Sequence, residues 1–197
     1  MKFRLFGTEI YVSFLFTAVI TVMLATDRTG LILPTLFAVF VHELGHLFVM
    51  WATDNEPKQI RLIPASVQIV NGFSKSYKND LAVAICGPLV NILLFLVFYF
   101  NFKAFGNELV LYYALLNLVI AIFNLLPVKG LDGGTIVYSL IASKYGINKA
   151  EITVKIFTVV IAISITLVGI FLMLKGETNI SLFIIAIYLL VLAFLKR

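Results

Sequence analysis

Charged residues are scarce in this sequence. Asp, Glu, Lys and Arg make up 13% of its 197 residues, whereas hydrophobic residues make up 61% and the mean hydropathy is +1.06. Soluble domains contain only roughly 45–50% apolar residues. The composition therefore excludes an ordinary water-soluble protein and predicts an integral membrane protein.

Cysteine and histidine are also rare. Cys86, which lies in an apolar run, is the single cysteine, and one cysteine cannot form an intramolecular disulfide. The chain has no low-complexity segment and no convincing repeat, and its longest polar stretch, residues 53–80, is short for a soluble domain. We therefore predict a single intramembrane domain over residues 1–197, with core helices at about 31–143.

Apolar runs indicate an all-α, polytopic fold with six transmembrane helices. Most of the runs approach the length of about 17–25 residues that a spanning helix needs, and the first and last are marginal. The first run has no cleavage pattern of small residues, so we interpret it as a helix and not as a removable signal peptide. The runs cover residues 11–26, 31–52, 81–102, 109–126, 152–174 and 180–195.

The polar stretch between the second and third helices has some strand character. In "QIRLIPASVQIVNGF", β-type residues alternate in part, with an interruption at Pro64 and a turn signal at Asn71-Gly72. The pattern predicts a short membrane-associated β-hairpin, and an ordinary solvated loop is the alternative.

The net charge of +5 reflects membrane topology. Only Arg28, Lys103 and Lys175 lie on one side of a six-helix path, and the other Lys and Arg residues lie on the opposite side. The positive-inside rule then predicts cytosolic N and C termini in a multi-pass cell-membrane protein. No basic run is dense enough for nucleic acid, so the expected surroundings are the lipid bilayer and membrane partners.

The stretch "FAVFVHELGHLFVMW", Phe37 to Trp51, places ionisable groups inside an apolar run. His42 and His46 are four residues apart and share one helix face, a spacing at which two imidazoles can bind one zinc ion. Glu43 can accept a proton from a water molecule that the zinc activates. A chance motif is disfavoured because a carboxylate at mid-membrane costs about 2.5–3.5 kcal/mol and because these are the only two histidines.

A third zinc ligand is expected at Asp132. A catalytic zinc needs three protein ligands, and most other acidic residues lie at predicted helix ends or in loops. Asp132 follows the fourth apolar run, where Pro127 ends the helix and Gly130, Gly133 and Gly134 predict tight, non-helical backbone. The alternative for Asp132 is a simple turn aspartate beside glycines.

Three asparagines interrupt the apolar helices. Asn124 lies eight residues before Asp132 and is a candidate to orient a reacting carbonyl. Asn117 is interpreted as an interhelical hydrogen-bonding residue. Gly87 and Pro88 predict close approach or a bend in the third helix, and packing is the plain interpretation of Asn91, one turn later.

Together these residues resemble the site-2 protease family of intramembrane zinc metalloproteases. The resemblance rests on "HELGH" (His42 to His46), "CGPLVN" (Cys86 to Asn91) and "NLLPVKGLDGG" (Asn124 to Gly134). It implies one zinc ion bound by His42, His46 and Asp132, Glu43 as general base, and Asn124 as a residue that positions the scissile peptide.

Within that family, six helices without a PDZ insertion resemble the stage IV sporulation FB group. The resemblance implies cleavage of a membrane-tethered sigma-factor precursor in a spore former, with membrane regulators as further partners. That group commonly continues into a CBS domain, and no such segment follows Arg197 in this sequence. The rival functions are a metal-ion transporter and a catalytically silent membrane scaffold.

Overall fold

The structure of the protein is a computed structural model that describes residues 2–5, 8–53, 57–63, 66–71, 76–176 and 180–194. The chain divides into two compact units, Met1–Phe123 and Asn124–Arg197. The prediction of one domain over residues 1–197 stays a prediction.

The first unit combines helices with a small sheet. Its elements in chain order are β1 (Lys2–Leu5), β2 (Thr8–Val12), α1 (Phe14–Thr26), α2 (Ile32–Ala52), β3 (Pro57–Ile63), β4 (Ser66–Asn71), α3 (Tyr77–Phe105) and α4 (Glu108–Leu125), whose last two residues fall in the second unit. The second unit continues with α5 (Asp132–Tyr145), α6 (Ile147–Leu174) and α7 (Ile180–Phe194). The chain is therefore mostly helical, as its apolar runs predict.

Within the described ranges, four helices are long and apolar enough to cross a membrane: α2, α3, α4 and α6. The six predicted spans correspond to six of the helices, but α1 has 13 residues and α7 has 15. Both are shorter than the usual spanning length of about 17–25 residues. Six spanning helices are thus not confirmed.

The sheet is larger than the predicted hairpin. β3 and β4 pair antiparallel, which agrees with the predicted strand pair, and the order of the four strands is β1-β2-β3-β4. β2 pairs with β3 in parallel, with Ile10 opposite Ile60. The sequence interpretation missed β1 and β2, because it assigned no element before residue 11 and placed residues 11 and 12 in the first helix. Pro64 and Gly72 lie outside the described residues.

Close packing of α2 and α3 depends on a glycine. A Cβ atom built on Gly45 of α2 would lie 3.0 Å from Val90 Cγ2 and 3.1 Å from the carbonyl oxygen of Cys86, both on α3. Small residues let helix backbones approach closely in membranes, where no hydrophobic force drives helices together. The outer faces of both helices carry exposed apolar side chains such as Phe48 and Val97.

The second unit packs around Val128, Ala162 and Leu189, which are buried together. Val128 belongs to the connection between α4 and α5, and the amide of the neighbouring Lys129 donates a 2.9 Å hydrogen bond to Thr158 Oγ1 on α6. An apolar anchor and a hydrogen bond therefore hold this connection against α6. They fix the chain just before Asp132, the first residue of α5.

The prediction of non-helical backbone at Gly133 and Gly134 is wrong. Both residues lie in the first turn of α5, and of the three glycines in this stretch only Gly130 has a positive φ, of 93°. A Cβ atom on Gly133 would collide with the carbonyl oxygens of Leu125 and Leu126, and one on Gly134 would collide with that of Val128. These glycines are therefore required by the close approach of the preceding chain and not by their own backbone angles.

Candidate metal centre

The predicted histidine pair lies on the buried face of α2. His42 is 4% exposed and His46 is 6% exposed, and their Nε2 atoms are 3.1 Å apart. The helical repeat explains this proximity, since residues four apart stand one above the other. Glu43, the next residue, is half-buried.

The second ring nitrogen of His46 faces a backbone carbonyl. His46 Nδ1 lies 2.8 Å from the carbonyl oxygen of Val83 on α3. A carbonyl oxygen can only accept a hydrogen bond, so Nδ1 carries the proton and donates it. In the neutral ring, Nε2 then carries the lone pair, which is the form that binds a metal.

The second ring nitrogen of His42 faces an amide side chain. His42 Nδ1 lies 2.6 Å from Asn91 Oδ1, and Asn91 is fully buried in α3. Asn91 directs its Nδ2 group to Asn117 Oδ1 and to the carbonyl oxygen of Ala38. Its oxygen therefore faces His42, which donates from Nδ1 and also presents a lone pair at Nε2.

Two Nε2 lone pairs that face each other repel unless a cation lies between them. Zinc–nitrogen bonds of about 2.0–2.1 Å in a tetrahedral site place two nitrogen ligands about 3.3 Å apart. The observed separation of 3.1 Å fits that distance. The histidine pair therefore fits a zinc ion by protonation and by geometry.

Gly87 of α3 leaves the necessary space beside the pair. A Cβ atom at this position would collide with Nε2 of both His42 and His46. Any side chain here would therefore occupy the place in front of the two Nε2 atoms. The sequence indicated close approach at Gly87 but not which groups approach it.

Asp132 and Asn124, the other predicted site residues, both lie at helix ends. Asp132 is half-buried at the first position of α5, where a carboxylate interacts favourably with the helix dipole. Asn124 is half-buried in the last turn of α4. Asp54, Glu56 and Glu177 lie outside the described residues.

The sequence interpretation missed the partners of the two histidines. It interpreted Asn91 as a packing residue and assigned no role to the Val83 carbonyl, yet these groups contact His42 and His46. The available signal for Asn91 was a polar side chain inside an apolar helix, which is expensive in a membrane. The carbonyl of Val83 has no signal in the sequence.

Comparisons with known proteins give a consistent family likeness. Residues 103–168, which include Asn124 and Asp132, match peptidase family M50. The chain is 29% identical over 161 residues to a zinc metalloprotease of Methanocaldococcus jannaschii, covering 75% of this chain and 47% of the relative. It is 29% identical over 136 residues to stage IV sporulation protein FB of Bacillus subtilis, covering 65% and 46%.

The fold agrees with the sequence likeness. The structure matches a site-2 protease from Methanocaldococcus jannaschii with a TM-score of 0.71 and 25% identity, over 98% of this chain and 93% of that chain. By sequence and fold, the chain is similar to site-2 proteases. It spans just under half the length of the curated relatives named above. The likeness to zinc metalloproteases and the facing histidine pair support zinc as the cofactor.

Proposed function

We propose that the protein is an intramembrane zinc endopeptidase that hydrolyses a peptide bond within or next to a transmembrane segment of a membrane-tethered protein. The observation that carries this proposal is the pair of facing Nε2 atoms on α2, a helix long and apolar enough to span a membrane. Ionisable groups in such a helix tend to mark functional sites because they are costly there. The likeness to metalloproteases selects proteolysis from the functions open to such a site.

His42, His46 and Asp132 are the proposed metal ligands. Two imidazoles and one carboxylate form a known donor set of catalytic zinc, with a further position for water. Zinc bound to such a set lowers the pKa of a water ligand to about 7 and polarises a carbonyl group.

Glu43 and Asn124 are the proposed catalytic residues. Glu43 follows His42 on α2 and accepts the proton of the attacking water, then returns a proton to the amine that leaves. Asn124 offers a side-chain amide that donates a hydrogen bond to the scissile carbonyl and stabilises the negative charge that develops there. These roles require both residues to face the bound peptide.

The sheet provides a place for the substrate to bind in an extended form. A helical substrate hides its carbonyl groups in hydrogen bonds, so a cleavable segment must unwind locally. β3 pairs with both β2 and β4, whereas β4 is an edge of the four described strands. The strand-like segment from Gln59 to Val70 is a candidate to bind the substrate by adding a β-strand. Because β3 is paired on both sides, only the β4 part of this segment can do so at the described sheet.

A finer proposal concerns the substrate and the topology. The likeness to stage IV sporulation protein FB supports a membrane-tethered sigma-factor precursor in a spore-forming bacterium as the substrate. The distribution of Lys and Arg supports cytosolic termini. Labelling of a Ser76→Cys variant by an impermeant reagent tests this topology, and exposure only outside the cell would contradict it.

Co-expression with candidate single-span substrates, followed by mapping of the new terminus, tests the proposed activity. The matched control is Glu43→Gln, which keeps the shape of the side chain and both imidazoles but removes the proton acceptor. We expect this variant to retain zinc and to lose cleavage. Normal turnover by purified Glu43→Gln would refute the mechanism, and metal uptake into proteoliposomes that depends on His42 and His46 would favour a transporter instead.

A further inference from the structure

Asn117, in the middle of α4, is buried and connects to the metal centre through one other side chain. It is 3% exposed, and its Oδ1 atom accepts a 2.9 Å hydrogen bond from Asn91 Nδ2. Its own Nδ2 group donates a 2.9 Å hydrogen bond to the carbonyl oxygen of Tyr113 on the same helix. The series Tyr113, Asn117, Asn91, His42 lies entirely within the first unit.

Backbone carbonyls determine which group donates and which accepts in each hydrogen bond of this series. The Tyr113 carbonyl can only accept, so Asn117 must present its NH2 group to it and its oxygen to Asn91. Asn91 must then present its NH2 group to Asn117 and to the Ala38 carbonyl, which is 3.3 Å away. The oxygen of Asn91 remains to face His42 Nδ1.

Reversal of the amides is unfavourable. If Asn91 alone were flipped, its oxygen would face the oxygen of Asn117 and the carbonyl of Ala38. If both amides were flipped, oxygen would face oxygen at Tyr113 and again at Ala38. Each such pair leaves buried acceptors without donors, at a cost of about 1–3 kcal/mol per group.

We propose that Asn117 is a positioning residue for the metal centre, because it orients Asn91 and so holds the His42 ring with its proton on Nδ1 and its lone pair on Nε2. Partners beyond the ligands commonly set the tautomer and orientation of metal-binding histidines. This inference deepens the proposed function and rests on His42 being a zinc ligand. It extends the role of Asn117 beyond simple interhelical bonding.

The substitution Asn117→Leu tests the inference. Leucine has a similar size but no acceptor, so only the longer contact to Ala38 still orients Asn91. Asn91 can then turn its NH2 group to His42 Nδ1, which favours the tautomer with its proton on Nε2. We expect metal affinity to fall about 10–100-fold, the usual effect of removing such a partner.

Ring 15N NMR on metal-free, detergent-purified full chain measures the tautomers directly. The chain has two histidines, so the spectrum contains only two imidazole spin systems. We expect Nδ1–H at both rings in the unsubstituted protein and a mixture at His42 alone in Asn117→Leu. His46 is an internal control because its Nδ1 faces the Val83 carbonyl.

Cobalt(II) titration, followed by its visible spectrum in competition with a chelator, measures the affinity. Asn107→Leu is the matched control, since Asn107 is exposed and contacts the start of the same helix through Leu109 N. It should change neither readout. Asn117→Ala replaces the leucine variant if the latter does not fold.

An Nε2–H tautomer at His42 in the unsubstituted protein would overturn the inference. So would unchanged tautomers and unchanged cobalt affinity in the folded Asn117 variants. Neither readout depends on cleavage. A negative result here is therefore distinct from failure of the proposed function, which would appear as absence of proteolysis by the unsubstituted protein.

Discussion

His42 and His46 bring their Nε2 atoms to 3.1 Å from each other, and the partner of each Nδ1 atom favours a proton on Nδ1 over one on Nε2. Both rings use Nδ1 as the donor, one to Asn91 Oδ1 and one to the Val83 carbonyl. The short contact is thus a repulsive one in the absence of a cation and a favourable one with zinc. This arrangement is a stronger indication of a metal site than the histidine spacing alone.

Gly87→Ala is predicted to abolish metal binding. The added methyl group would collide with Nε2 of both histidines, so the rings or α3 would have to move. Cobalt titration of the purified protein measures the loss. Gly106→Ala is the control for general destabilisation by a glycine substitution. Its positive φ of 70° makes alanine unfavourable, but no atom lies within 4 Å of the added Cβ, so metal binding should be unchanged. If Gly87→Ala binds cobalt as well as the unsubstituted protein, the site is not in front of these nitrogens.

Asp132→Asn is predicted to lower zinc affinity and abolish proteolysis. A neutral amide oxygen is a much poorer zinc ligand than a carboxylate. Asp132→His is expected to retain part of the metal, since imidazole is also a zinc ligand. Metal content and cleavage should be measured on the same sample. Full zinc occupancy with full activity in Asp132→Asn would remove Asp132 from the site, because asparagine has nearly the same size and lacks only the carboxylate charge that a zinc ligand supplies.

Ser139→Ala is predicted to stabilise the second unit. Ser139 is 2% exposed, and its hydroxyl group has no hydrogen-bond partner among the residues that the structure describes. A buried polar group without a partner costs about 1–3 kcal/mol, and alanine also favours the helix. Thermal unfolding in detergent should therefore shift to higher temperature. Ser143→Ala is the control because Ser143 is exposed, and an equal shift in both variants would assign the gain to helix propensity.

The connection between α1 and α2 is predicted to lose order in acid. The side chain of Thr29, then the amide of Ile32, hold the pKa of Asp27 below its usual value of 3.8 by hydrogen bonds to the carboxylate. A lowered pKa means that the contribution of Asp27 is complete above 3.8 and is lost as the pH falls through the folded-state pKa. NMR titration of the amides of Thr29 and Gly30, which bond to Asp27, measures this change. Asp27→Asn should remove the transition, and an Asp27 pKa at or above 3.8 would contradict the prediction.

Six of the seven described helices and the histidine pair were predictable because their causes are local, whereas α5 was missed because its first turn contains two glycines. Apolar runs specify helices that suit a membrane, and the four-residue spacing of His42 and His46 brings them together through the helical repeat alone. The alternation after α2 also predicted the β3–β4 pair. These features depend on residues that are close in the chain.

The features that could not be predicted depend on pairing between distant residues. Asn91 reaches His42 across 49 positions and Val83 reaches His46 across 37. The parallel pairing of β2 with β3 joins segments on either side of two helices. Gly133 and Gly134 look like turn residues in the sequence, but their role in α5 becomes visible only when the preceding carbonyls are placed against them.

The sequence by itself determined the membrane as the solvent of this protein, the positions of six of its seven described helices and the residue types of its candidate metal centre, since composition and helical periodicity require no knowledge of contacts. Only the tertiary structure decided which nitrogen of each histidine holds the proton. Tautomers depend on the partner at the other ring nitrogen, and those partners come from α3. Packing of α2 against α3 therefore turns two histidines of suitable spacing into a pair with both lone pairs directed at one point.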